Sequence, residues 1–131
     1  ILRTADGAGV DGIFLCSSTN IDIYNPNVLR ASLGAVFHLP ISELPLNEVR
    51  DSLKEIQIVA TSPYSEKPYW KVDGKKGVAL LMGSEKDGIT NDLINLADIS
   101  CRIPMRGEIA SLNVGVAAGM VLYEKLRQEL H

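Results

Sequence analysis

Ile103-Pro-Met-Arg-Gly-Glu-Ile-Ala-Ser-Leu-Asn-Val-Gly-Val-Ala-Ala-Gly-Met120 is the most informative stretch of this chain. It continues a strand-like run, Ile99-Ser-Cys-Arg-Ile103, that meets Pro104. A small polar loop follows. Ser111-Leu112-Asn113 then leads into a helix built from Val114, Val116, Ala117, Ala118 and Gly119. Two polar side chains at the mouth of an apolar helix are costly unless they have partners. The same place offers backbone N–H groups free to hold a ligand.

Working outward, the same alternation recurs. Residues 1–8 read as the tail of a helix stopped by Gly7 and Gly9. Gly12-Ile-Phe-Leu-Cys16 is a short buried strand, followed by the polar loop Ser17-Ser-Thr-Asn20. Asn25-Pro26 opens a short helix through Arg30, because proline suits a first helical position. Ala35-Val-Phe-His-Leu39 is a second strand, ended by Pro40. Residues 47–55 alternate with helical period, with Val49 and Leu53 inward, and Ile56-Gln-Ile-Val-Ala60 is a third strand. Residues 61–76 carry Pro63, Pro68 and Gly74 and form a loop or hairpin. Gly77-Val-Ala-Leu-Leu-Met82 is the strongest strand and is expected at the sheet's centre, with the turn Gly83-Ser-Glu-Lys-Asp-Gly88 directly after it. A short helix over residues 91–96, capped by Thr90, a strand over 99–103 and a long helix over 111–129 complete the chain. Several strands are continuously apolar, as when helices cover both faces of a parallel sheet. The expected fold is a three-layer α/β protein with a mostly parallel sheet. In such sheets ligands bind beyond the carboxyl ends of the strands, so the loops at 17–20, 83–88 and 104–111 are the candidates.

Composition narrows the function. A chain of 131 residues has the size of one domain. Its net charge of −3 argues against a strongly basic nucleic-acid module, though not against a local basic patch. Cys16 and Cys101 sit inside apolar runs, so a reduced, cytoplasmic setting is expected rather than a disulfide framework. No apolar run approaches the roughly 20 residues of a membrane span, and no signal peptide is visible. The chain opens inside a helical pattern without an initiating Met, which reads as a missing N-terminal start.

Taken singly, most polar positions have ordinary explanations. Gly83-Ser-Glu85 after a strong strand lets a ligand approach the backbone, but by spacing alone an ordinary turn with a solvated acid is the commoner reading. No dinucleotide-binding or Walker-type glycine spacing is present. Arg3 is a surface charge or an anion clamp, and His38 is a structural histidine. Two histidines and two cysteines without close spacing make no metal site. Ser111 lacks a nearby base or nucleophile-elbow sequence and fits a helix cap. Asn113 is harder to dismiss.

Together these segments resemble the SpoU, or TrmH-type, branch of the SPOUT RNA methyltransferases over nearly the whole chain. Ile1-Leu-Arg-Thr-Ala5 resembles the end of that family's first motif. Asn25-Pro-Asn-Val-Leu-Arg-Ala-Ser-Leu-Gly-Ala-Val-Phe-His-Leu-Pro40 resembles its linking segment. Leu80-Leu-Met-Gly-Ser-Glu85 with Gly88 resembles the second motif. Ile103-Pro-Met and Ser111-Leu-Asn-Val with Ala117-Ala-Gly resemble the third. Each is moderately specific, and their order and spacing are strongly so.

The resemblance implies a C-terminal deep trefoil knot, an arrangement rare among folds. It implies S-adenosylmethionine as cofactor, methyl transfer to a ribose 2′-hydroxyl of ribosomal or transfer RNA, with rRNA the more expected substrate, and a homodimer. Carried over by position, Gly83, Ile103, Met105 and Leu112 contact the cofactor, largely through backbone groups. Arg3, Glu85, Ser111 and Asn113 match the polar catalytic positions. The family's asparagine upstream of Arg3 would precede Ile1. Lys86 and Gly115 stand where many relatives carry Gly and Ser. Two other readings compete: a non-catalytic dimeric RNA-binding protein that keeps the fold, and a different nucleotide-binding α/β enzyme.

Overall fold

In the computed structural model, residues 1–16, 38–83, 89–109 and 112–131 are described. The chain divides into two units, Ile1–Ser52 and Leu53–His131.

In the first unit, helix α1 spans Leu2–Gly7 and buries Ala5. Its end shows why the two glycines matter. Gly9 adopts φ +75°, its N–H bonds Asp6 O at 3.1 Å, and the N–H of Val10 bonds Ala5 O at 3.1 Å. This paired closure satisfies the last helical carbonyls and needs a left-handed residue. Strand β1, Ile13–Leu15, then pairs in parallel with β2, Ile41–Glu43, in the register Ile13 to Ile41. Of the strand expected at 35–39, the described residues His38 and Leu39 form a turn, and the pairing of β2 with β1 begins after Pro40, whose carbonyl accepts the Ile13 N–H at 2.9 Å. Proline cannot donate to a ladder, so the strand starts beyond it. Residues 35–37, the loop at 17–20 and the helix expected from Asn25 to Arg30 lie outside the described residues. The helix expected over 47–55 is shorter. A 3₁₀ turn, Leu46–Glu48, runs into α2, Val49–Ser52, and Val49 is its buried anchor.

The second unit is built on β3, Gln57–Thr61, whose Ile58, Val59 and Ala60 are almost wholly buried. β4, Val78–Leu81, pairs with it in parallel on one side. After the short helix α3, Asn91–Ile94, strand β5, Ile99–Cys101, pairs in parallel on the other. Among the described residues the order is β4–β3–β5, which corrects one expectation: β3, not the 77–82 run, is the middle strand of this sheet. Full burial of β3 against partial burial of every β4 residue is the physical sign of that difference. Thr90 occupies the position before α3, but its side chain makes no capping bond there. The core joins Val59, Val72 and Cys101, with Tyr69, Val78, Leu80 and Ile99 packed against them.

Residues 62–76 make no hairpin. They form a 3₁₀ turn, Tyr69–Lys71, and run back along the end of β5. Arg102 N–H donates to Lys67 O at 2.7 Å, and Tyr69 N–H donates to Arg102 O at 2.9 Å. Helix α4, Val114–Leu130, buries Ala118 and Val121. Further along it, Gln128 accepts the Gly74 N–H at 2.7 Å and donates to Val72 O at 3.1 Å, while Lys125 Nζ donates to Gly74 O at 3.1 Å. A Cβ on Gly74 would stand 3.1 Å from Lys125 Cα, so only glycine lets the loop approach the helix this closely.

Candidate ligand site at the strand ends

Because β3, β4 and β5 are parallel, their carboxyl ends share one edge. The register makes that edge nearly flush. Ala60 pairs with Leu81, and the next residue, Thr61, pairs with Cys101. The chain therefore leaves the three strands within one residue of a common level, at Ser62, Met82 and Arg102. Gly83 and Ile103 follow on opposite sides of β3, each two residues past its strand.

Hydrogen bonds fix the middle of this edge and leave its flanks open. Ser62 N–H donates to Cys101 O at 2.8 Å, and Ser65 Oγ donates to Ser100 O at 2.9 Å. Ser62 Oγ accepts the Tyr64 N–H at 3.2 Å. Among the described residues, none bonds the backbone N–H or C=O of Gly83 or Ile103. Both residues are only partly exposed. Half-buried peptide groups that no described residue bonds, beside a side-chain-free glycine, suit a ligand that approaches the backbone closely.

The structure thus brings Gly83 and Ile103 to the same sheet edge. Met105 follows Ile103 and is 40 % exposed, so much of its side chain is accessible. Leu112 and Asn113 are placed by the start of α4. Asn113 is its N-cap: the side-chain Oδ1 accepts the N–H of Gly115 at 2.8 Å and of Val116 at 3.4 Å. The capping role expected of Ser111 is therefore filled by Asn113, and the helix starts at Val114 rather than at 111. The amide oxygen serves the helix, and the Nδ2 end is the one that can donate elsewhere. Glu85 and Ser111 lie outside the described residues. Arg3 is exposed on α1, in the first unit.

Sequence reasoning missed Thr61-Ser62. Their signal was present, since they too follow an apolar strand, but the prolines nearby marked them only as a connector. Cys101, at the same edge, is fully buried, and burial pushes its thiol up, only partly opposed by the Lys67 ammonium, which disfavours the thiolate. Among the described residues, no three His, Cys, Asp or Glu side chains gather as a metal site, and no helix is long and apolar enough to cross a membrane.

The model of the SpoU rRNA Methylase family matches residues 1–123. The chain is 33 % identical to the 23S rRNA (guanosine(2553)-2′-O)-methyltransferase RlmP of Bacillus subtilis, over 94 % of this chain and 50 % of that protein. A crystal structure of an RNA 2′-O ribose methyltransferase superposes with a TM-score of 0.88 at 39 % identity, covering 99 % of this chain and 50 % of the other. The SpoU methyltransferase AviRb from Streptomyces viridochromogenes, in complex with the cofactor AdoMet, superposes with a TM-score of 0.90 at 32 % identity, over 98 % of this chain and 51 % of that one. The chain spans about half the length of the curated relatives it matches.

Proposed function

This chain belongs to the SpoU rRNA Methylase family, and on that premise we propose that it carries the catalytic domain of an S-adenosylmethionine-dependent RNA (ribose-2′-O)-methyltransferase. The observation that carries the proposal is the shared edge of β3, β4 and β5, where no described residue bonds the peptide groups of Gly83 and Ile103. The family match spans residues 1–123, parts of both units, which supports reading the chain as one domain.

When bound, S-adenosylmethionine supplies an electrophilic methyl on its sulfonium. Gly83, Ile103 and Leu112 hold the cofactor largely through backbone groups, and the accessible Met105 side chain lines its pocket. The protein's remaining task is positional: the ribose 2′-oxygen must lie in line with the carbon–sulfur bond. Arg3 takes the RNA phosphate beside the target ribose. A guanidinium suits that role better than the role of base, since it resists deprotonation. Ser111 and Asn113 orient the hydroxyl, and Glu85 fixes the polar network. Asn113 works through Nδ2, because its Oδ1 accepts from Gly115 and Val116. The proton leaves late, to water.

The proposal extends to substrate, assembly and topology. Ribosomal RNA is the favoured substrate, in keeping with the family and with what RlmP is named for. The segment after β5 forms the trefoil knot. Two copies assemble through α4, where Val116, Tyr123 and Leu130 recur at heptad spacing and are 53 %, 47 % and 74 % exposed. The enzyme is cytoplasmic, consistent with the free thiols of Cys16 and Cys101.

Calorimetric titration tests the cofactor site. S-adenosylmethionine binds and a nicotinamide dinucleotide does not. Gly83→Val, which places a branched side chain at the open edge, abolishes the heat while the far-ultraviolet spectrum is kept. Equal binding of both ligands, or of neither, contradicts the proposal.

A further inference from the structure

The loop over residues 64–76 differs in chemistry from the rest of the chain. It holds four lysines against two acids in a chain of net charge −3, and three of the seven aromatic residues. Tyr64 is 92 % exposed and Trp70 is 47 % exposed, and Lys67, Lys71 and Arg102 around them are also exposed. Leaving an indole in water forfeits favourable burial, so its position calls for a use. The indole is also held in place. Tyr69 packs against the core of Val59, Val72 and Cys101, and its ring meets Trp70 edge-to-face, with centroids 5.3 Å apart and planes at 75°. The backbone bonds between Lys67, Tyr69 and Arg102 pin the loop to the end of β5, the strand that leads to Ile103.

We propose that this loop is a contact surface for single-stranded RNA, with a base stacked on Trp70 and backbone phosphates held by Lys67, Lys71 and Arg102. It rests on the RNA-methyltransferase reading above and adds where the substrate strand is gripped. Aromatic faces interleaved with cations are what unpaired nucleotides require, since every base has a face to stack and every linkage a charge to neutralise. A protein partner fits less well, because the cores of protein interfaces are depleted in lysine. The loop starts at Ser62 and is fastened beside Arg102, both on the sheet edge that carries the cofactor groups. A strand bound here is therefore held at the rim of that edge, and the acidic chain needs no general basic surface.

Trp70 is the chain's sole tryptophan, so its emission reports on this contact directly. The full chain is titrated with a short unstructured RNA, following intrinsic fluorescence and the anisotropy of an end-labelled copy. Saturable quenching is expected, with one affinity by both signals and weakening as salt rises. Trp70→Ala is expected to bind roughly tenfold more weakly. Lys67→Ala combined with Lys71→Ala is expected to flatten the slope of log affinity against log salt by about 1.4, roughly 0.7 for each lost phosphate contact. Unchanged emission at saturating RNA, or equal quenching by inorganic polyphosphate, overturns the stacking role. An emission shift that follows protein concentration without RNA assigns Trp70 to a protein interface and overturns it as well. RNA and S-adenosylmethionine both binding while Trp70 stays silent defeats this inference alone, whereas failure of both to bind defeats the function reading with it.

Discussion

Asn113 accepts the backbone N–H of Gly115 at 2.8 Å, which makes one side chain both the cap of α4 and a member of the proposed catalytic set. The two duties use opposite ends of the amide and can be separated by substitution. Asn113→Asp keeps an acceptor at the helix start, where a negative charge is also favoured. It lacks the Nδ2 donor. Its melting temperature is expected to match the parent, while methyl transfer falls about tenfold or more, the worth of one lost hydrogen bond to the reacting group. Asn113→Ala loses both functions and costs about 1 kcal/mol of stability. Thermal melts and initial rates on the two variants check this. An Asp variant with full activity leaves Asn113 with capping alone.

Gly74 and Gln128 form the other close junction of α4. An added Cβ at Gly74 would lie 3.0 Å from Gln128 Oε1 and 3.1 Å from the Lys125 backbone. The side chain can shift but the helix backbone cannot, so Gly74→Ala is expected to destabilise by about 1–3 kcal/mol. Gly107, with nothing within 4 Å of its added Cβ, is the control. Gly107→Ala is expected to leave the denaturation midpoint where it is. Urea titrations of the two variants make the comparison.

Acid sensitivity follows from Glu124. Hydrogen bonds from Arg127, then from Gln128, hold its carboxyl down to about 2 from an ordinary 4.5. Its folded pKa lies below its unfolded value. The stabilisation is therefore complete above about 4.5 and is lost as pH falls toward 2. Across that window the parent should lose melting temperature more steeply than Glu124→Gln, which does not titrate. Parallel slopes in the two proteins would remove Glu124 from the acid response.

Much of this was legible in the residues because the pattern was local. The apolar run Gln57-Ile-Val-Ala-Thr61 announces a buried strand, and Gly9 announces a helix end that needs positive φ. Gly83 draws notice because it follows such a run and Ile103 only through the family resemblance, and the parallel register puts both on one edge. What failed was non-local. Nothing in the 77–82 run tells how many neighbours its strand has, so its stronger apolar pattern was mistaken for centrality. The Pro68–Arg102 bridge joins segments far apart in sequence, and no periodicity encodes it. Ser111 is the cap that the residues suggest, and only the bond to Gly115 shows that Asn113 caps the helix.

Transfer itself is the decisive measurement. The full chain is incubated with ribosomal RNA and methyl-labelled S-adenosylmethionine, and the RNA is then hydrolysed in alkali, which cannot cleave beside a 2′-O-methylated ribose. Label recovered in an alkali-resistant dinucleotide, and lost in Asn113→Asp, is the expected result. Label recovered on a base, or no transfer by a chain that binds both S-adenosylmethionine and RNA, would contradict ribose 2′-O-methylation by this site.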